Sequence, residues 1–192
     1  MKKLLLMLIL CALIATACTK ETERINLEEY LYNKVKTEID NWDSEEDIYA
    51  VSFCVYSNEA FKYKKYRNVP RFAISYNTES DCEGDLLSEE RWNYAYWNQN
   101  EISIIEPSEK NDQGTRVLFE WYKQNGIENI GYEDEDCYDE EGNYIGKGPV
   151  GYYELLTAAS NAARRLQQEK YIAGKFGKPI PIIVHEYEYS WY

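Results

Sequence analysis

Histidine occurs once in this chain, at His185, and that scarcity removes many familiar catalytic arrangements at the outset. A single imidazole cannot build a multi-histidine metal centre, and no spaced nucleophile accompanies it. Glu186 beside it does not complete an acid–base pair, because adjacent residues of a strand point to opposite faces. A structural histidine at a strand end is the simpler reading. Also missing are a Gly-rich phosphate loop, a Gly-x-Ser-x-Gly elbow and a Cys-x-x-Cys pair. Carboxylate chemistry stays open, since two acids flanking a glycosidic bond suffice for hydrolysis. With 34 Asp and Glu, however, the sequence selects no pair. No cofactor and no metal are expected, and an enzymatic role is the weaker expectation.

Positive charge is also scarce. Lys and Arg number 21 against 34 acids, for a net charge of −13. Nucleic-acid binding needs cations to neutralise phosphates, so it is disfavoured. The same field keeps a protein soluble and speeds its encounter with a basic partner.

Apolar runs of membrane-spanning length, about 20 residues, are absent. The one long run, Leu4 to Ile14, follows Lys2 and Lys3 and precedes Ala15-Thr16-Ala17-Cys18. Basic n-region, short apolar core and small residues make a secretory signal over residues 1–17. Ala15-x-Ala17 suits ordinary signal peptidase. Small residues directly before Cys18 also resemble a bacterial lipobox, with Ala15 where leucine is usual; the cysteine would then be acylated. The polar stretch after it favours the lipoprotein, with residues 18–25 as lipidated cysteine and tether. The expected partner there is the membrane, through acylated Cys18. Thr19 in place of aspartate resembles the enterobacterial pattern for outer-membrane sorting. Removal of residues 1–17 would leave 19 basic against 34 acidic side chains, a balance of −15.

Beyond Cys18 the cysteines are Cys54, Cys82 and Cys137, an odd set. Cys54 falls within a strand pattern and reads as a small buried hydrophobe. Cys82 and Cys137 lie in acidic, loop-like surroundings, where an oxidising envelope would permit a disulfide or leave both as thiols.

What the chain does have is a clear β pattern near its middle. From Tyr49 to Tyr56, large residues Tyr49, Val51, Phe53 and Val55 alternate with Ala50, Ser52 and Cys54. Phe72, Ile74 and Tyr76 repeat the period, which predicts an antiparallel pair. Leu27, Leu31, Val35, Ile39 and Trp42 form a helical stripe behind Asn26, with Glu29 placed for a capping box. A short strand at Ile102–Ile105 stopped by Pro107, and a helix over 113–124 stopped by Asn125-Gly126, come next. Gly148-Pro149 should open the longest helix, with Leu155, Ala159, Ala162 and Leu166 inward and Gly174 ending it. Ile180–Val184 closes the series as a strand, and Pro181 places it at a sheet edge. The expectation is a single α+β domain over 26–192, a mainly antiparallel sheet with three or more packed helices.

Nineteen Tyr and five Trp are abundant for this length. Such side chains join apolar faces to a polar handle and are enriched where proteins bind partners. Two stretches supply the candidate binding surface. One is Lys62, Tyr63, Lys64, Lys65 and Tyr66, read either as a platform for an anionic group or as an edge hairpin protected by lysines. The other is Arg91, Trp92, Tyr96 and Trp97, of which Trp92 and Trp97 have core positions as their alternative. A third aromatic run, 187–192, joins them as a candidate. The acids of 133–143 invite a calcium reading, but their spacing does not fit an EF-hand loop, and a solvated surface is the plainer one.

A strand ending in Asn77-Thr78-Glu79, a short gap, then Arg91-Trp92 and a second tryptophan at Trp97 resembles an uncharacterised bacterial family, domain of unknown function 4303. Gly126-Ile127-Glu128-Asn129-Ile130-Gly131-Tyr132, a terminal helix and a last strand follow in an order similar to that family. The resemblance covers roughly residues 27–190. It implies an acidic residue just before the second tryptophan, where this chain has Tyr96. Some relatives resemble members of toxin–immunity neighbourhoods. Together with charge and aromatics, this leads to an expected role: an envelope-anchored, non-catalytic protein binder of immunity type, with a protein partner of basic character. Glycan binding through Tyr and Trp is the alternative, and a carboxylate-dependent hydrolase the third.

Overall fold

The structure, a computed structural model, describes residues 24–43, 47–58, 62–82, 85–98, 100–110, 112–132 and 148–186. The signal segment 1–17, Cys18, the acidic run 133–143 with Cys137, and the tail 187–192 lie outside the described residues. The elements in chain order are α1 (Leu27–Asp40), β1 (Ile48–Tyr56), β2 (Arg71–Thr78), α2 (Glu89–Trp92), β3 (Ile102–Ile105), α3 (Gln113–Gln124), α4 (Tyr152–Gln168), α5 (Tyr171–Phe176) and β4 (Ile182–Glu186).

Four strands form one sheet in the order β3-β2-β1-β4. The β1–β2 and β2–β3 pairs are antiparallel, while β4 returns parallel to β1. The result is an α+β domain with a mixed, mostly antiparallel sheet and three helices of seven or more residues packed on it. Pro181 behaves as its chemistry requires: without an N–H it accepts instead, taking the Val51 amide at 3.0 Å, just before the edge strand β4 begins.

Alternation sends the two strand faces to different partners. Val51, Phe53 and Val55 of β1 and Phe72 and Ile74 of β2 enter the main core with α1, α3 and α4. Ala50, Ser52 and Cys54 take the other face. Tyr49 departs from the expected alternation. A register shift between Ile48 and Ala50 turns its ring to the side of Ala50 and Trp97, away from Val51. A bulge puts two successive side chains on one face, which a strict period of two cannot anticipate.

The stripe of α1 holds, since Leu27, Leu31, Val35, Ile39 and Trp42 are all buried. Full burial of such side chains stabilises by roughly 1.5–3 kcal/mol each. Asn26 caps the helix by accepting the Glu29 amide at 3.0 Å. The Glu29 carboxylate bonds elsewhere, to Arg165 of α4 at 2.5 Å. Arg165 also pairs with Glu169 at 2.8 Å and lies 3.7 Å over the Tyr32 ring, which clasps α4 to α1.

Two boundaries differ from the sequence expectation. α4 starts at Tyr152 behind Gly151, not at Pro149, because Gly151 takes φ of +92°, a conformation that interrupts a helix. At the other end Lys170 adopts φ of +55° and separates α4 from α5, so Gly174 lies within a second short helix and ends neither.

Candidate functional site

The side of the sheet away from the main core is covered in part by Cys82 and residues 88–97, and that cover is organised by Arg91. Its guanidinium grips Glu79 through both terminal nitrogens, at 2.7 and 2.6 Å. It stacks 3.9 Å over the Tyr49 ring and lies 5.6 Å from the Trp92 ring. The Arg91 carbonyl accepts from the Tyr49 hydroxyl at 2.6 Å and from the Trp97 indole at 2.9 Å. Asn77 donates to the Tyr49 oxygen at 2.9 Å. Ser88 caps the short helix α2 through the Arg91 amide, which fixes where the arginine emerges. Each half of the residue is therefore held by a different strand end.

Electrostatics agree with the geometry. The hydrogen bonds from Arg91 hold the Glu79 carboxyl below its usual range, and the carboxylate in turn raises Arg91 further. Burial pushes the Tyr49 hydroxyl up to about 12. At neutral pH the brace is one cation, one anion and a neutral phenol.

Above this brace the surface is apolar. Leu86 and Leu87 are 71% and 93% exposed, Trp92 42% and Tyr96 55%. The Trp92 indole donates to the Leu86 carbonyl at 2.7 Å, so the leucine turn and the tryptophan form one ridge. Exposed carboxylates of Asp85, Glu89 and Glu90 are interspersed along it. The one cation in this stretch, Arg91, is buried against Glu79.

The nine residues expected to form one surface are divided by the structure. Trp92 is exposed on the ridge and Tyr96 is exposed four residues on, whereas Arg91 and Trp97 are buried as supports. Lys62, Lys64 and Lys65 are exposed on a connection containing a 3-10 turn over Lys64–Tyr66. Lys62 lies 5.3 Å from the ring of half-buried Tyr63. Tyr66 is buried against Phe119 of α3. This connection is no edge hairpin, because β1 and β2 are the two central strands. It leaves the sheet beside the Tyr56–Arg71 pair, while the Arg91 brace sits by the Ile48–Thr78 pair at the other end. At about 3.3 Å per residue, β1 separates the two groups by roughly 25 Å. They do not form a single site.

His185 sits on β4 facing the second side of the sheet. Its Nε2 meets the Ser52 hydroxyl at 2.7 Å, and the Tyr94 ring covers it at 4.8 Å between centroids. Burial lowers its pKa, which favours the neutral ring. Ser52 is 1% exposed and stands in the middle of β1, between two paired strands. The pair is a satisfied, part-buried contact, in keeping with a structural histidine. Cys54, its neighbour on that face, is buried and its thiol is pushed up to about 12, as befits a small hydrophobe. Among the described residues no cluster of three or more His, Cys, Asp or Glu is placed to hold a metal ion. No helix among them is long and apolar enough to cross a membrane.

Sequence reasoning passed over Glu79, Tyr49, Leu86 and Leu87 as functional residues. Two adjacent leucines in an acidic turn, matching neither helical nor strand period, were the available signal for the last two. The Glu79–Arg91 pairing had none, since it depends on where β2 ends relative to α2. No family model, curated protein or solved structure matches the chain.

Proposed function

We propose that this protein is a lipid-anchored component of the bacterial envelope that binds a basic protein partner without catalysis, and that its specific role is immunity-type neutralisation of a toxin. The observation that carries the reading is the exposed ridge of Leu86, Leu87 and Trp92, with exposed Tyr96 nearby in sequence and the exposed carboxylates of Asp85, Glu89 and Glu90 in the same stretch. Apolar anchors surrounded by charge are the usual anatomy of a protein-binding hot spot. The Arg91 brace supports the reading further, because preorganised anchors lose less conformational entropy on binding. The acidic balance of the whole chain selects for basic partners and speeds their arrival. The family resemblance, with its toxin–immunity associations, points the same way by analogy.

Anchoring is tested separately. Cys18→Ser should abolish acylation and leave unprocessed precursor; a mature protein of unchanged mass without lipid would mean ordinary secretion. Binding is tested by capture from envelope and secreted proteins using residues 20–192. One basic partner, released as salt rises and bound more weakly by Trp92→Ala, is expected. Glycan recognition is the competing outcome. It would appear as quenching of tryptophan fluorescence by sugar, removed by Trp92→Ala; Trp97, at 4% exposure, is too buried to stack on a sugar. Turnover of a glycan panel would instead favour the hydrolase reading.

A further inference from the structure

On the helix side of the molecule, remote from the ridge, a cleft of about 470 Å³ opens between the start of α1, the end of α3 and the first half of α4. Its size falls within the roughly 300–1,000 Å³ typical of small-molecule sites. Trp121 and Tyr153 supply aromatic wall, Glu28 and Glu154 supply carboxylates, and Thr157 and Asn161 add neutral polar groups. No Lys or Arg lines it; exposed Arg164 at the rim donates to Asn161 at 2.9 Å and leaves Glu28 and Glu154 unpaired. Among the described residues neither Glu28 nor Glu154 has a hydrogen-bond or ion-pair partner, although six other glutamates, Glu29, Glu38, Glu79, Glu106, Glu120 and Glu169, are in ion pairs.

A plainer account assigns both acids to helix dipoles, since each lies in a first turn. The magnitudes leave a surplus. Two helix N-termini contribute about half a positive charge each, whereas two carboxylates carry a full negative charge each. The remaining negative potential faces two electron-rich rings, and ring faces attract cations in their own right.

We propose that this cleft is a binding site for an organic cation, an alkylammonium or guanidinium group held against Trp121 and Tyr153 and neutralised by Glu28 and Glu154. A metal ion is a poorer match, because hard cations need several converging oxygen ligands rather than aromatic faces. A neutral sugar would use the rings but leave both charges unanswered. Ligand chemistry is therefore set by the acids as much as by the aromatics.

The test is a titration of the intact domain, residues 20–192, with choline at constant ionic strength, following the indole N–H resonance of Trp121, assigned with Trp121→Phe. Choline stands for a free small cation and N-acetyl-lysine amide for a side chain of a protein; the stronger of the two names the source. Saturable binding should weaken at least tenfold in the Glu28→Gln/Glu154→Gln double variant, with its circular dichroism and Tm unchanged. Rising sodium chloride should weaken it as well. No saturable shift of the Trp121 resonance with either cation, equal affinity in the double variant, or equal binding of glucose would each overturn the proposal. Trp92→Ala, which removes the ridge, should leave choline binding intact, so failure at one site is distinguishable from failure at the other.

Discussion

Arg91 concentrates more of the structure on itself than any other side chain of the covered sheet face. It pairs with Glu79, stacks on Tyr49 and offers its carbonyl to Trp97. Its guanidinium is buried while Glu79 is 42% exposed, so the pair lies between two regimes. Exposed pairs contribute about 0.2–1 kcal/mol, and breaking fully buried ones costs about 3–5. Arg91→Met should accordingly destabilise by about 2 kcal/mol, read from the midpoint of urea unfolding. Arg91→Lys should recover only part of this, because an ammonium cannot grip both carboxylate oxygens in a planar fork. Full recovery by lysine would show that the bidentate geometry is unimportant. At the surface, Trp92→Ala should weaken partner binding by about 2 kcal/mol, near thirtyfold, while leaving the fold intact. A change below twofold would remove Trp92 from the binding site.

Among the elements, α4 shows how one backbone angle decides a boundary. Gly151 sits at φ of +92°, and a Cβ there would come within 2.9 Å of the Tyr122 ring, whose hydroxyl donates to the Gly151 carbonyl at 2.8 Å. Gly151→Ala should destabilise by about 2 kcal/mol through strain and this clash. Gly174, inside α5 with nothing within 4 Å of its missing Cβ, is the control. Gly174→Ala should stabilise by about 0.5–1 kcal/mol by removing helix-interior glycine entropy. The opposite signs, read side by side in thermal unfolding, test whether Gly151 marks the start of α4 and whether Gly174 lies inside a helix and does not end one. The same elements show what was legible beforehand. Period and capping residues located α1, β1, β2, β3 and α3 almost to the residue, because each buries one face against a common core. The break at Lys170 was not legible, since a lysine carries no local preference for φ of +55°. Nor was the bulge at Tyr49, whose ring packs against Arg91 and Trp97, partners more than forty residues along the chain.

For the whole molecule, charge and acid sensitivity follow from the same carboxylates. Arg91 holds Glu79 below its ordinary value of 4.5, and Arg165 does the same for Glu29. A carboxyl with a depressed folded pKa stabilises the fold above its unfolded value, and that contribution is lost as pH falls through the folded one. Stability should therefore be level near neutrality and decline below about pH 4.5. Glu79→Gln should be less stable at pH 7 and lose less on acidification; parallel wild-type and variant curves would contradict the linkage. The fold class was readable from the sequence at this scale because layers follow from hydrophobic period. The candidate surface was not, because proximity in sequence said nothing of burial: Trp92 and Trp97 look alike in the chain, yet one is exposed and the other lies under Arg91.

The most direct test of the central claim is the affinity of residues 20–192 for a captured envelope or secreted protein, compared between the wild type, Leu87→Ser and Trp92→Ala across a salt series. The account predicts a basic partner bound at low salt, an association rate falling at least about tenfold between 50 and 500 mM salt, and binding weakened at least about tenfold in both variants. A partner retained equally by Leu87→Ser and Trp92→Ala, or the capture of none, would contradict it.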